Sequence, residues 1–151
     1  MIRGFEIVKD EHRKFSNITK LPLRGSKDSA GYDFYSNESV TIEPGQKYIF
    51  WTDVKTYMQY EEVLKIFVRS SIGIKKGLVL ANGTGIIDAD YYSNPNNDGN
   101  IGICLLNLSD IPQKVEHGER IAQGIFQTFL ISDNGNINDE RNGGIGSTDK
   151  F

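Results

Sequence analysis

The sequence lacks most features that would assign it to a specialised class of protein. Its 151 residues include one cysteine, Cys104, and two histidines, which excludes an internal disulfide and a Cys/His zinc cluster. No apolar run is long enough to span a bilayer, and the charged first residues do not resemble a signal peptide. We therefore expect a cytoplasmic protein without membrane contact, in which Cys104, within the apolar run 101–106, is buried and unreactive.

An excess of positive charge is also absent. The chain has 17 Lys and Arg against 20 Asp and Glu, a formal net charge of −3 at pH 7. Proteins that bind nucleic acid without sequence preference usually present a basic surface. We therefore expect no direct nucleic-acid binding, and a polyanionic ligand would need a few well-placed cations.

Helix-forming patterns are scarce, whereas strand-forming patterns recur along the whole chain. Short runs rich in Val, Ile, Phe and Tyr alternate with Gly, Asn, Pro and Asp clusters, as in an all-β sandwich or barrel. The predicted strands cover residues 4–8, 48–51, 63–68, 77–80, 101–108 and 121–130, and residues 43–46 predict a turn. One short helix is predicted over residues 70–77, with Gly77 as a left-handed cap.

The end of the chain differs in composition from the rest. Residues 133–151 are rich in Gly, Asn and Asp, which predicts a flexible tail after a single domain of residues 1–132. Glycines in its segment RNGGIGST (141–148) allow close backbone approach to a ligand, but no helix can follow, which excludes a P-loop. The tail is either disordered or a flap that closes over a phosphorylated ligand.

Two segments in the first half of the chain combine polar and apolar residues unusually. AGYDF places Asp33 among strand residues, where a carboxylate is either paired locally or positioned for a ligand. RSS places Arg69, Ser70 and Ser71 at the predicted helix start. A guanidinium, hydroxyls and backbone N–H groups together suit phosphate oxygens, and a serine N-cap beside a surface arginine is the alternative.

The most unusual segment is NGTGIIDADY, residues 82–91. In a regular strand, Asp88 and Asp90 would share one face, opposite Ile87 and Tyr91. Like charges on one face repel each other unless a cation lies nearby, and a metal-bound substrate would provide that cation. The alternative is a solvated edge strand.

The order of the segments is far more specific than any one of them. AGYDF, RSS, NGTGIIDADY, GERIAQ (a predicted turn followed by a strand that contains Gln123) and RNGGIGST follow one another between residues 29 and 148. In this order they resemble the five motifs of the trimeric dUTPase family. The resemblance implies a β-jelly-roll subunit and a homotrimer with shared active sites, in which the tail of one chain closes a site formed by two others.

The resemblance also implies the reaction. It would be the hydrolysis of dUTP to dUMP and pyrophosphate, which keeps uracil out of DNA and supplies dUMP for thymidylate synthesis. Mg²⁺ would be held mainly by the phosphates and water. Asp88 corresponds to the base that activates the water attacking the α-phosphorus, and Tyr91 to the ring beneath the deoxyribose that excludes a 2′-hydroxyl.

The remaining site residues are carried over by their positions in the motifs. The implied contacts are Asn82, Gly85 and Ile87 for uracil, on a strand bent into a hairpin; Arg69, Ser70, Ser71 and Gln123 for the phosphates; Asp33 and Gln123 near the metal's water shell; and Arg141, Ile145, Gly146, Ser147 and Thr148 from the tail.

Two departures from the family pattern affect the site. Ile145 stands where the family usually has a phenylalanine that stacks on uracil, and another aromatic residue such as Phe151 could replace it. Residues 92–98, YSNPNND, form an insertion after the third motif. Their composition predicts an exposed loop that adds a lid or contacts a neighbouring subunit.

Two other functions compete with this interpretation. The related dCTP deaminases share the fold and an Arg-Ser-Ser segment, but they need a glutamate where this chain has Cys104. A dUTPase-like protein can also serve mainly to bind a protein partner, as some phage-encoded members do, and such a role need not exclude catalysis.

Overall fold

Antiparallel strands make up most of the computed structural model, which describes residues 1–17, 20–138 and 140–149. The strands are β1 (Gly4–Ile7), β2 (Leu23–Arg24), β3 (Tyr32–Tyr35), β4 (Val40–Ile42), β5 (Lys47–Trp51), β6 (Val54–Tyr57), β7 (Glu62–Val68), β8 (Leu78–Leu80), β9 (Gly85–Asp88), β10 (Gly102–Asn107), β11 (Gln113–Val115) and β12 (Arg120–Thr128). The six predicted strands are confirmed, with ends that differ by no more than two residues. In the described ranges, no helix is long and apolar enough to cross a membrane.

Strands distant in sequence pair with each other. The largest sheet has the order β2–β3–β12–β7–β9, a second has the order β5–β10–β8, and β1–β6 and β11–β4 form two further pairs. An aromatic cluster of Phe5, Tyr32, Phe34 and Phe126 joins β1 to the largest sheet, with ring centroids 5.3–5.9 Å apart. Strands that follow each other in the sequence rarely pair, so most connections carry the chain from one sheet to another.

Strand β10 illustrates how the core is built. Ile103 and Leu105 are buried, whereas Gly102 and Cys104, on the opposite face, are only partly buried. The predicted full burial of Cys104 is therefore wrong, because the period-two alternation of a strand turns its thiol away from the core. Burial nevertheless raises the pKa of the Cys104 thiol.

The single helix predicted over residues 70–77 is a short π-helix over Ser71–Lys75. Ile72 anchors it in the core at 1% exposure. Gly77 follows at φ 67°, so the predicted left-handed cap is confirmed. Two single turns of 3-10 helix, Asp10–His12 and Ala89–Tyr91, complete the helical structure of the described residues.

Two predictions for the third motif are wrong. The strand ends at Asp88, and Ala89–Tyr91 turns into 3-10 helix, so Asp88 and Asp90 do not alternate along one strand. Strands β8 and β9 do not form a hairpin either, because β8 pairs with β10 whereas β9 pairs with β7. The intervening turn, with Gly83 at φ 77°, carries the chain from one sheet to the other.

The insertion 92–98 is not the exposed loop that its composition predicts. Asn94 and Asp98 are 5% and 2% exposed, although Pro95 and Asn96 remain on the surface. Asp98 accepts hydrogen bonds from the Lys55 ammonium at 2.9 Å and from the Lys9 backbone N–H at 2.8 Å. Because these bonds satisfy polar groups internally, the segment is a packed part of the fold.

Candidate active site

Three adjacent strands bring together the first, second and fourth motifs. Gln123 on β12 lies opposite Asp33 on β3 and opposite Phe67 on β7. Arg69 directly follows β7, so its guanidinium reaches Asp33, with 3.0 Å between Nε and Oδ1. The register of one sheet therefore assembles this group, which we call the arginine cluster: Asp33, Arg69, Ser70, Ser71, Arg120 and Gln123.

Asp33 is the centre of the arginine cluster. It is 4% exposed, and besides Arg69 it receives a hydrogen bond from Arg120 Nη1 at 3.5 Å to Oδ2. Because each carboxylate oxygen faces a guanidinium, Asp33 orients two cations toward the surface. Its predicted place near a metal's water shell stays a prediction.

Gln123 is held against the neighbouring strands. Its side-chain amide donates to the Val68 carbonyl at 3.4 Å. Gly31, in the AGYDF motif, lies so close that a Cβ there would collide with the Gln123 amide. A larger residue at position 31 would therefore displace the Gln123 amide, and the contact of Gln123 with phosphate or metal stays a prediction.

Sequence reasoning missed two cations of this region, Arg120 in the arginine cluster and Lys20 beside it. Lys20 and Arg120 line the same surface pocket as Arg69 and Ser71. The Lys20 ammonium lies 4.4 Å from the centre of the Tyr35 ring. Arg120 could have been found, because it lies inside the GERIAQ motif, whereas nothing in the sequence around Lys20 marks it. Ser70, in helical conformation, makes no side-chain capping bond among the described residues, so the N-cap alternative is not realised.

The third motif and the tail line a separate cavity of about 540 Å³, a size usual for small-molecule sites. We call it the base cavity. Its wall includes the predicted residues Asn82, Gly85, Ile87, Asp88, Tyr91, Arg141, Ile145, Gly146 and Thr148, together with Lys47, Trp51 and Cys104, which sequence reasoning did not assign.

Gly85 is fixed in the base cavity by close packing. A Cβ at Gly85 would lie 2.8 Å from Cβ of Ile66, the residue opposite it on β7. This distance is too short for any side chain, so β9 can lie this close to β7 only with glycine here.

Asp88 forms the polar end of the base cavity. Arg141 bridges the two carboxylates of the motif, with Nη2 2.6 Å from Asp88 Oδ2 and Nε 2.8 Å from Asp90 Oδ1. Burial raises the pKa of Asp88, the Arg141 charge lowers it, and the Asp90 charge raises it, with a net upward shift. The cation that two neighbouring carboxylates require is thus supplied by the protein's own tail.

The tail folds back in a tight turn. Ser147 donates its hydroxyl to the Gly143 carbonyl at 2.8 Å and its N–H to the Gly144 carbonyl at 2.9 Å, and Gly146 adopts φ 72°. Ser147 lies in a shallow pocket beside the base cavity. In this single chain the tail covers the chain's own base cavity, and which subunit's site it closes in a trimer stays a prediction.

Ile145 covers the base cavity only loosely, since it is 82% exposed. Trp51, the only tryptophan, lines both this cavity and the shallow pocket next to it. Its ring packs over Gly102, where a Cβ would lie 2.9 Å from the ring. Trp51 therefore provides an aromatic surface that the sequence did not reveal, and Phe151 lies outside the described residues.

Arg69 of the arginine cluster and Asp88 of the base cavity lie toward opposite ends of β7. Asp88 pairs with Val63 at one end of β7, whereas Arg69 follows Val68 at the other end. Six residues of extended strand between Val63 and Arg69 correspond to about 20 Å. Within one chain, Arg69 and Asp88 are therefore far apart along the sheet.

Comparison with known proteins gives consistent matches. The protein-family model for dUTPase matches residues 17–149. The deoxyuridine 5'-triphosphate nucleotidohydrolase of Lactococcus lactis subsp. lactis is 45% identical over 151 residues, covering 97% of this chain and 97% of that protein.

Solved structures agree with this result. The crystal structure of dUTPase from Streptococcus mutans matches with a TM-score of 0.78 and 44% identity, covering 87% of this chain and 99% of that one. This match confirms the predicted jelly roll. A mutant dUTPase from phage phi11 of Staphylococcus aureus, which coordinates a structural Mg(II) ion, matches with a TM-score of 0.67 at 23% identity, covering 92% and 98% of the two chains, and shows the fold alone.

Proposed function

This chain belongs to the dUTPase family and is a dUTP diphosphatase, and we propose that it uses Asp88 to activate the water that cleaves dUTP into dUMP and pyrophosphate. The observation that carries the proposal is the position of Asp88, half-buried in the wall of a cavity of nucleotide size. Burial raises the pKa of Asp88, and a carboxylate of higher pKa is a stronger base. Water held by Asp88 would attack the α-phosphorus, with pyrophosphate as the leaving group.

Arg141 changes partner in this proposal. Its guanidinium pairs with Asp88 and Asp90, and guanidinium groups bind phosphate oxygens with similar geometry. A triphosphate would compete for Arg141, so its charge would act on the γ-phosphate. Asp88 would then lose the charge that lowers its pKa and become more basic only when substrate is present.

Recognition of the deoxyuridine is assigned to the other walls of the base cavity. Asn82 and the backbone near Gly85 and Ile87 would pair with the uracil edge, and cytosine would leave these polar groups unpaired. Tyr91 would lie against the deoxyribose and exclude a 2′-hydroxyl. Trp51 and Ile145 would provide the apolar cover over the base.

The phosphate contacts are assigned to the arginine cluster of a neighbouring subunit. Arg69 follows one end of β7, and Asp88 pairs with Val63 near the other end, which favours different subunits as the sources of these two groups for one triphosphate. A homotrimer would bring the cluster of one subunit to the base cavity of another. The separation of about 20 Å along β7 supports this assignment.

Magnesium fits this site as a companion of the substrate. The described residues contain no group of three or more His, Cys, Asp and Glu side chains that could hold a metal ion. Mg²⁺ commonly keeps several waters and binds through substrate phosphates and one or two protein oxygens, and Asp33 and Gln123 are candidates for contacts to those waters. When bound, the ion would neutralise charge on the phosphates.

One assay tests the reaction directly. Purified protein with Mg²⁺ should release pyrophosphate from dUTP and much less from dTTP, dCTP or UTP. Binding of dUTP without pyrophosphate release would overturn the proposal and favour a partner-binding role. Ammonia release from dCTP would favour the deaminase alternative, although this chain has Cys104 where the deaminases need a glutamate.

Mixed trimers test how the site is shared. Asp88→Asn and Arg69→Ala chains are each expected to be inactive, but mixing after dissociation should restore activity, because some sites then combine an intact Asp88 with an intact Arg69. No recovery, in trimers shown to have exchanged, would contradict a composite site. A parallel mixture of Asp88→Asn with Arg141→Gln chains regains activity only if the tail closes another subunit's cavity.

Cytoplasmic location, the absence of nucleic-acid binding and a possible protein partner remain predictions from the sequence. The partner would be a binding function added to the enzyme. Nothing in the described residues favours it over catalysis.

A further inference from the structure

The Tyr91 side chain is clamped at its hydroxyl by two residues. Tyr91 is 8% exposed, and its hydroxyl donates to the Asn100 carbonyl at 2.5 Å. The same hydroxyl oxygen accepts a hydrogen bond from Asn97 Nδ2 at 2.8 Å. The ring cannot tilt without breaking one of these buried bonds.

The Asn97 side chain is itself fixed at its other end. Its Oδ1 accepts from Asn94 Nδ2 at 2.8 Å and from the Gly99 backbone N–H at 3.0 Å. Because both of these neighbours are donors, the Asn97 amide nitrogen must face Tyr91. The hydrogen bonds from Asn94 and Gly99 therefore fix the orientation of the Asn97 amide.

The tail packs on the same pair of side chains. A Cβ at Gly144 would lie 3.2 Å from the Tyr91 hydroxyl and 3.4 Å from Asn97 Nδ2. The Arg141 guanidinium carbon lies 5.9 Å from the centre of the Tyr91 ring. The remaining surface of the ring lines the base cavity.

From this geometry we propose that Asn97 is a positioning residue that determines how strictly the site selects a deoxyribose over a ribose. This inference rests on the part of the proposed function that places Tyr91 against the sugar, and it does not depend on turnover. Asn97 belongs to the insertion 92–98, so the insertion supports sugar selection instead of forming a lid. A tyrosine that is free to tilt would leave space for a 2′-hydroxyl, and the clamped ring does not.

A binding assay that needs no turnover tests the proposal. Trp51 lines the same cavity and is the only tryptophan, so its fluorescence can report the Kd values of dUMP and UMP. Asn97→Ala should lower the preference for dUMP over UMP by about tenfold, the change that corresponds to one buried hydrogen bond. Asn96→Ala is the matched control, because the Asn96 side chain makes no hydrogen bond to Tyr91 among the described residues, and it should keep the wild-type ratio.

A double-mutant cycle separates positioning from loop damage. Tyr91→Phe removes the hydroxyl, so Asn97→Ala added to Tyr91→Phe should not change the dUMP/UMP ratio further. An equal loss in both backgrounds, or an unchanged ratio in Asn97→Ala alone, would overturn the proposal. A wild-type chain that prefers dUMP but releases no pyrophosphate from dUTP would instead contradict the proposed function and leave this inference intact.

Discussion

Arg141 Nη2 lies 2.6 Å from Asp88 Oδ2, so the tail arginine is paired with the proposed base. Arg141 is also the closest neighbour that lowers the Asp88 pKa, against burial and Asp90, which raise it. One ion pair thus couples tail position to the basicity of the carboxylate. Substrate phosphates would break this pair by binding the guanidinium.

Asp88→Asn should abolish most turnover while preserving nucleotide binding. The amide keeps the size of the carboxylate but cannot accept a proton from water, so kcat should fall by at least about a hundredfold. Pyrophosphate release and the Kd of a non-hydrolysable dUTP analogue measure the two properties separately. Asp90→Asn is the control, and its kcat should fall much less; equal losses in the two variants would mean that the base is misassigned.

Arg141→Gln should shift the pH dependence of activity. Without the guanidinium, burial and the Asp90 charge act unopposed, so the pKa of Asp88 rises further above its ordinary value. Activity requires the ionised carboxylate and disappears as pH falls through that pKa, so the acid limb of kcat/KM for dUTP should move to higher pH. Arg141→Lys keeps a positive charge and should shift the limb less. An acid limb that does not move in Arg141→Gln would show that the tail does not control Asp88.

Asp98→Asn should destabilise the fold without touching the reacting groups. Burial raises the Asp98 pKa, but hydrogen bonds from the Lys9 N–H and from Lys55, together with the Lys55 charge, outweigh it, so the net shift is downward. The stabilisation is therefore present above the unfolded pKa of about 3.9 and is lost as pH falls through the folded pKa. Without the Asp98 charge, the buried Lys55 ammonium keeps only the longer contacts with Ser93 Oγ at 3.2 Å and Glu6 Oε2 at 4.0 Å. The loss should cost about 3 kcal/mol at pH 7, measured by urea unfolding.

Two features make Asn the suitable replacement at Asp98. The residue has φ 59°, a conformation that Asn tolerates well, so the substitution changes charge without adding backbone strain. Adding Lys55→Met to Asp98→Asn should recover much of the lost stability, because the buried ammonium that lost its closest charged partner is then removed. If the double variant is less stable than Asp98→Asn alone, the ion pair is not the source of the effect.

Alkylation of Cys104 should report occupancy of the base cavity. It is the only cysteine and lines the cavity. N-ethylmaleimide therefore labels a single thiol, and mass spectrometry measures how fast that thiol reacts. Burial raises the thiol pKa, so the reaction should be slow at neutral pH and faster as pH rises, because the thiolate is the nucleophile. Saturating dUMP should slow it at least about tenfold, the protection expected at near-complete occupancy.

Cys104→Ala is the companion variant for this prediction. No step of the proposed reaction uses the thiol, so the variant should hydrolyse dUTP at close to the wild-type rate. Alkylation that proceeds at the same rate with and without dUMP would show that the nucleotide binds elsewhere. A large loss of activity in Cys104→Ala would instead assign the thiol a function.

The sequence predicted whatever depends on local pattern or on motif order. Alternation of polar and apolar residues predicted the strand that contains Gln123, and turn chemistry predicted the left-handed conformation of Gly77. The spacing of short segments placed Asn82, Asp88 and Tyr91 in one motif. The errors concern residues whose state depends on distant partners. Asp98 looked like a loop residue because the sequence does not show that Lys55, 43 positions away, will neutralise it.

The sequence by itself determined the all-β fold, the family and the residue types of the site, because these depend on periodicity and on the order of short motifs. Only the tertiary structure decided which groups meet. It paired Arg141 with Asp88, put Trp51 and Cys104 in the base cavity, and separated Arg69 from Asp88 along β7. The physical reason is that pairing between distant strands fixes these distances, and strand register depends on packing across the whole sheet.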